Sequence, residues 1–206
     1  RLVAEIAAKH GVTMVPFEAI QEVVADNGVP KRVVSTTGRA YEAEMIGVGL
    51  GLTLNHGFLA NTPLDRRTGI VTNQYLETNV PGVYSAGDVA EFYDAVLGRH
   101  NIMGTWDNAL AHGRVAATNM AGGHEPYVDV PTYTSPLFDV NIAVMGTAEQ
   151  NNPELESISR TVPGEKPGTR DYRKFFFKQN RLVGAVFIGS PKGRKKMVDL
   201  IQTGTT

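Results

Sequence analysis

Eleven residues limit the folds open to this chain more than any other stretch: Thr78, Asn79, Val80, Pro81, Gly82, Val83, Tyr84, Ser85, Ala86, Gly87 and Asp88. Within them, 83–86 read as a short apolar strand that stops abruptly at Gly87 and Asp88. In an open α/β sheet, ligands bind at the carboxyl ends of strands. The small residues Ser85, Ala86 and Gly87 let a ligand approach the backbone. A carboxylate at that point only accepts hydrogen bonds, which suits sugar or polyol hydroxyls. A Gly-Asp pair alone is most often an ordinary strand-to-turn junction; the whole string points further.

The surrounding chain supplies an α/β setting. Leu2, Val3, Ile6 and Ala7 fall at helical spacing and Gly11 ends that helix. The chain opens at Arg1, with no Met or capping residue ahead, so it is expected to be the C-terminal part of something longer. Residues 12–15 are a buried-strand candidate and 17–24 are mixed. Asp26, Asn27 and Gly28 signal a turn before a strand at 29–36, Gly38 marks another turn, and 43–48 form an apolar run. Gly47, Gly49 and Gly51 alternate, but Leu52 stands where a Gly-x-Gly-x-x-Gly loop needs its last glycine. On composition that stretch is a strand end with close backbone packing.

A small strand pair is expected over 68–76. A helix is expected over 108–120, with Leu110, Val115, Ala116 and Met120 on its apolar face and a stop at Gly122 and Gly123. Pro126, Pro131 and Pro136 mark a composition shift that places a boundary near Gly123. Strands follow at 140–145, 156–162, 172–178 and 182–188, the last with Leu182, Gly184, Val186 and Ile188 in alternation. Residues 151–169, with Pro153, Pro163 and Pro167, read as edge and loop. Pro191 opens a terminal helix with Met197, Val198 and Ile201 on one side, completing a small α+β unit.

Composition narrows the chemistry. Twenty Lys and Arg against 21 Asp and Glu give a net charge of −1, which argues against a nucleic-acid binder held by phosphate contacts. The chain has no Cys, so disulfides, thiolate catalysis and cysteine-ligated metal centres are excluded for these 206 residues. No apolar run reaches the ~18 residues of a membrane span, no signal-peptide pattern opens the chain, and the cytoplasm is the expected location. The five His residues (His10, His56, His100, His112, His124) show no metal-ligand spacing and are expected in surface or core roles. Lys192, Arg194, Lys195 and Lys196 read as a solvated helix face. A sharper reading adds Arg170, Arg173 and Lys174 and makes a docking patch for an acidic carrier protein.

The string from Thr78 to Asp88 resembles the second FAD-binding motif of the two-dinucleotide-binding-domain flavoproteins, the pyridine nucleotide-disulfide oxidoreductase superfamily. The resemblance implies that Asp88, with Gly87 and Val89 beside it, binds a ribityl hydroxyl of FAD. It implies that 43–55 is the strand and crossover leaving an NAD(P)-binding domain, with Gly49 a cofactor contact. The family commonly has Arg-Pro-Asn at the end of that segment; here the residues are Thr53, Leu54 and Asn55. Thr105, Trp106, Asp107, Asn108 and Ala109, followed by His112, Gly113, Arg114 and Asn119, resemble the Trp-x-Asn-Ala segment of the ferredoxin, rubredoxin and putidaredoxin reductase branch. Phe92, Tyr93, Asp94, Leu97, Gly98 and Arg99 are similar to apoptosis-inducing-factor relatives. In that branch the Trp lies beside the isoalloxazine, which implies cofactor contacts for Thr105, Trp106 and Asp107. A Glu often stands two residues before the Trp; here it is Gly104. Residues from about His124 to Ile201 are similar in layout to the reductases' C-terminal interface domain.

The resemblance implies an α/β class: a partial FAD/NAD(P)-binding fold followed by a small α+β interface domain. Its parts are residues 1–54 (remnant of the NAD(P)-binding domain), 55–123 (segment of the FAD-binding domain) and 124–206 (interface domain). It implies an FAD-dependent NAD(P)H oxidoreductase with a ferredoxin- or rubredoxin-type carrier as partner, and a homodimer as a further candidate assembly. The two Gly-x-Gly-x-x-Gly loops of such enzymes are not among these residues, so the chain by itself is expected to bind FAD weakly or not at all and to be inactive. Two alternatives stay open: a thiol-using NADH oxidase, peroxidase or coenzyme A-disulfide reductase, whose Cys would lie elsewhere, and a non-catalytic interaction fragment.

Overall fold

The structure is a computed structural model that describes residues 2–165 and 168–204; the expectations made for Arg1 and Pro167 lie outside them. The chain divides into two compact units, Arg1–Thr53 and Leu54–Thr206.

The first unit opens with helix α1 (Leu2–Lys9), whose buried face is Ile6 and Ala7. The Gly11 N–H bonds to the Ala8 carbonyl and the Val12 N–H to the Ala7 carbonyl, which closes the helix end. A three-stranded antiparallel sheet follows: β1 (Ile20–Asp26), β2 (Val29–Ser35) and β3 (Ala40–Glu42), in that order. Asp26 pairs with Val29 across the two-residue loop Asn27-Gly28, and both loop residues have positive φ, as a right-twisted hairpin requires.

Two expected strands are absent here. Residues 12–15 join no ladder, with Val12 and Met14 nearly half exposed. Residues 43–48 have no regular structure, and Met45 is 87% and Val48 72% exposed. An apolar run becomes a strand only where another strand supplies ladder partners, and neither run finds one within its unit. Strand β1, in the stretch read as mixed, forms because β2 pairs with it.

In the second unit, β4 (Ile70–Val71) pairs in parallel with β5 (Ala90–Asp94), and β5 pairs antiparallel with β6 (Arg99–Asn101). The strand pair expected over 68–76 is thus only β4; residues 73–76 form a turn, in which the Asn73 side chain accepts from the Tyr75 and Glu77 N–H groups. Residues 83–86 are extended but held by a single bridge, Tyr84 to Glu77, because the ladder begins only at Ala90. The β5–β6 hairpin is fastened by buried Asp94, whose Oδ1 accepts from the Val96 and Leu97 N–H groups and whose Oδ2 accepts from Asn101.

Helix α2 (Trp106–Met120) starts two residues earlier than its apolar pattern indicates. Thr105 caps it, accepting from the Asn108 N–H, and Asp107 lies in the first turn beside the partial positive charge. The Gly122 and Gly123 N–H groups close it on the Asn119 and Thr118 carbonyls. Its buried face keeps the expected Val115 and Ala116 but is otherwise polar. Leu110 and Met120 are exposed, while Asn108, His112, Val115, Ala116 and Asn119 point inward.

The chain ends in a five-stranded antiparallel sheet of order β7-β8-β11-β10-β9. The strands are β7 (Thr132–Leu137), β8 (Val140–Gly146), β9 (Glu156–Pro163), β10 (Arg170–Lys178) and β11 (Arg181–Gly189). Helix α3 (Arg194–Thr203) packs on the sheet through Met197, Val198 and Ile201. The alternation expected along β11 is broken by a bulge: Phe176 pairs with Gly184 and Phe177 with Leu182, leaving Val183 unmatched. Leu182, Ala185 and Phe187 therefore join Met145 and Ile201 in one core, while Val183 joins Phe176 and Leu97 in another. The crossing is tight, because a Cβ on Gly184 would stand 1.8 Å from the Thr147 carbonyl oxygen.

Candidate functional site

The extended segment ends at Ala86, and the chain then folds into a 3₁₀ turn, Gly87–Val89, before β5. Gly87 has φ 76°, where glycine carries no steric penalty. Its missing Cβ faces the Ala109 Cβ at 3.6 Å, so the turn sits against the first half of α2. Asp88 is half-buried, and its carboxylate makes no side-chain hydrogen bond among the described residues. It is an open acceptor at the end of an extended segment.

The start of α2 carries the second part of the site. Thr105 is the cap, and Trp106 is 78% exposed, so its indole is not core packing. Asp107 beside it is exposed. The structure thus brings Gly87, Asp88 and Val89 to the helix whose first turn holds Thr105, Trp106 and Asp107.

Between them runs a line of buried side chains. The Gly87 N–H donates to Nδ1 of His112 at 3.3 Å. His112 is wholly buried and stands edge-on to Phe92 (4.7 Å between ring centroids) and Tyr127 (4.3 Å). Burial lowers its pKa to about 4. A neutral ring that accepts at Nδ1 carries its proton on Nε2, and Nε2 has no hydrogen-bond partner among the described residues. The Tyr127 hydroxyl donates to Oδ1 of Asn108 at 2.7 Å, and burial, with Asp129 and Asp94 adding to it, pushes the phenol pKa up. Asn108 in turn donates from Nδ2 to the Met103 carbonyl at 2.9 Å. Asn119 donates to the Tyr75 and Glu125 carbonyls and accepts from the Glu125 N–H.

Asn108, His112 and Asn119 belong to the segment that resembles the reductase branch, but residue type alone assigns them no bonding role, and it passes over Tyr127. One signal was available: 108, 112, 115, 116 and 119 form a helical stripe at intervals of three and four. A cavity of about 500 Å³ opens beside this helix, lined among others by Asp107, Asn108, Tyr127, Asp129, Arg194 and Lys195.

Two expectations need correction. Gly49 lies in the first unit, in a segment without regular structure, and nothing comes within 4 Å of where its Cβ would be. Close backbone packing therefore does not account for it. In the basic patch, Arg173 is not a free docking charge. It pairs with Asp171 at 3.1 Å, donates to the Ser190 carbonyl at 2.6 Å and lies over the Phe187 ring. Lys174 is bound to Gln150 and Arg194 to Thr134. Lys192, Lys195 and Lys196 stay exposed. No described helix is long and apolar enough to cross a membrane.

Known proteins resemble the chain in sequence and fold. Residues 136–205 match the rubredoxin NAD+ reductase C-terminal domain. Human apoptosis-inducing factor 3 is 32% identical over 133 residues, covering 63% of this chain and 22% of that protein. The NADH-rubredoxin oxidoreductase of Clostridium acetobutylicum is 28% identical over 153 residues, covering 74% of this chain and 37% of that protein. The crystal structure of the ferredoxin reductase of the CYP199A2 system from Rhodopseudomonas palustris shares the fold. Its TM-score is 0.79 at 22% identity, over 95% of this chain and 48% of that one. The chain thus spans less than half the length of each. With residues 1–113 matching its defining domain, the chain belongs to the pyridine nucleotide-disulphide oxidoreductase family.

Proposed function

We propose that this chain provides the ribityl and ring-side contacts of an FAD-dependent NAD(P)H oxidoreductase that delivers electrons to a small carrier of ferredoxin or rubredoxin type. One observation carries this: the Gly87–Val89 turn, with the unpartnered Asp88 carboxylate, is seated on the helix whose first turn exposes Trp106. Both features suit a flavin, which has polyol hydroxyls to donate and a flat ring to cover. Bound FAD would supply the redox chemistry, taking hydride from the nicotinamide and releasing electrons onward. The chain's own residues bind and orient. Asp88 accepts a ribityl hydroxyl, Trp106 covers the ring and excludes water, and the free N–H groups at the start of α2 favour negative charge on the ring's carbonyl edge. No acid, base or nucleophile of the chain has to act.

On this reading residues 1–54 belong to the NAD(P)-binding domain, 55–123 to the FAD-binding domain and 124–206 to an interface domain. The rubredoxin-reductase match over 136–205 supports the carrier class. A thiol-using route would draw its sulfur from outside these residues, which contain no Cys.

The test uses the full-length polypeptide encoded by the gene. It should purify with a flavin spectrum that bleaches on adding NADH or NADPH. Asp88→Asn should weaken FAD binding about tenfold or more, the loss of a charged hydrogen bond. Trp106→Ala should shift the flavin spectrum. A folded wild-type protein that takes up no FAD refutes the proposal.

A further inference from the structure

Resting on that reading, we propose that His112 is a positioning residue for the flavin site: its Nδ1 accepts the Gly87 N–H and so sets the turn that presents Asp88. The argument starts from what the ring does not do. It is wholly buried, yet only one of its two nitrogens is satisfied among the described residues. An apolar side chain of that volume would fill the space without burying an unpaired Nε2, but it would leave the Gly87 N–H without its acceptor. What the imidazole adds is the acceptor at Nδ1. Gly87 is bound there at 3.3 Å, the space of its missing Cβ faces Ala109, and Asp88 is the next residue. A shift of the Gly87 nitrogen is therefore passed directly to the carboxylate.

The ring itself is clamped. Phe92 meets it at 78° and Tyr127 at 88°, so it has no free rotation that would exchange the two nitrogens. Tyr127 is held by Asn108, and Asn108 by the Met103 carbonyl, just ahead of the cap and Trp106. One buried line thus connects the segment leading into Trp106 with the turn carrying Asp88, and His112 is its last member.

The experiment compares the wild-type full-length polypeptide with His112→Leu, which removes the acceptor, and His112→Asn, whose Oδ1 stands where Nδ1 stood. Nitrogen-15 imidazole spectra of the wild type should show the proton on Nε2 and a bare Nδ1. The Gly87 amide resonance should move in His112→Leu and stay near its position in His112→Asn. The FAD dissociation constant should rise about tenfold in His112→Leu and stay within about threefold in His112→Asn. A wild-type ring protonated on Nδ1 overturns the proposal without any variant, because that nitrogen could not accept. So does a folded His112→Leu with an unmoved Gly87 amide and wild-type FAD affinity. A wild type that binds no FAD sinks the flavin reading instead, and the tautomer then decides the turn-setting role alone.

Discussion

Acid should reach this fold through His112. The ring is buried and neutral, and burial lowers its pKa from 6.5 to about 4. Below pH 6.5 the unfolded chain binds a proton at this position that the folded chain refuses until about pH 4. Stability is therefore fully present above pH 6.5 and falls as pH drops through that window. Two and a half units correspond to about 3 kcal/mol between the window's ends. The groups that face the ring are Phe92 from β5, Tyr127 from the segment after α2 and the Gly87 amide. Tyr127 stays neutral throughout, because its pKa is raised. Urea unfolding of wild type and His112→Asn at pH 7.5, 6, 5 and 4 isolates the effect, since the carboxylates common to both cancel. The stability advantage of the wild type over the variant should shrink by about 3 kcal/mol from the highest to the lowest pH. A difference that stays constant within about 0.5 kcal/mol across this range would show that the ring is not held neutral, and the reasoning would fail.

Two further changes test the packing around the site. Tyr127→Phe removes the donor to Asn108 Oδ1 and leaves that buried oxygen unpaired, so chemical denaturation should show a loss of about 1–3 kcal/mol. Gly184→Ala places a methyl group against the Thr147 carbonyl at the β11 bulge, and thermal melts should show a loss of about 2 kcal/mol or more, with hydrogen exchange at β8 and β11 rising first.

Much of the C-terminal sheet was legible in the sequence. The existence of β8, β10 and β11 and the one-sided apolar pattern of α3 appear directly in residue type, whereas the bulge that sends Val183 to a second core does not. The hairpin β5–β6 was not, since Ala90, Glu91, Phe92 and Asp94 are all buried and the strand shows no alternation. Residues 43–48 misled for the opposite reason: they are apolar, but beyond the Ala43 N–H bond to Lys31 they join no described strand ladder. At the site, Asp88 and Trp106 stand out by motif. His112 and Asn119 fall in the same motif as Trp106, but residue type does not say which way they turn; their bonding to backbone groups does.

The inner stripe of α2 behaves less like a hydrophobic face than like a set of keys. Apolar contacts tolerate sliding by a fraction of a turn, whereas a hydrogen bond loses its value within a few tenths of an ångström. Asn108, His112 and Asn119 each engage a different non-helical segment: the approach to the cap, the Gly87 turn, and the Tyr75 and Glu125 loops. A single-residue insertion before position 108 would rotate all three keys by about 100° and release every one of these segments together. Substitutions on the outer face, at Leu110 or Met120, would disturb none of them. In this helix, length and phase carry more of the site than hydrophobicity does.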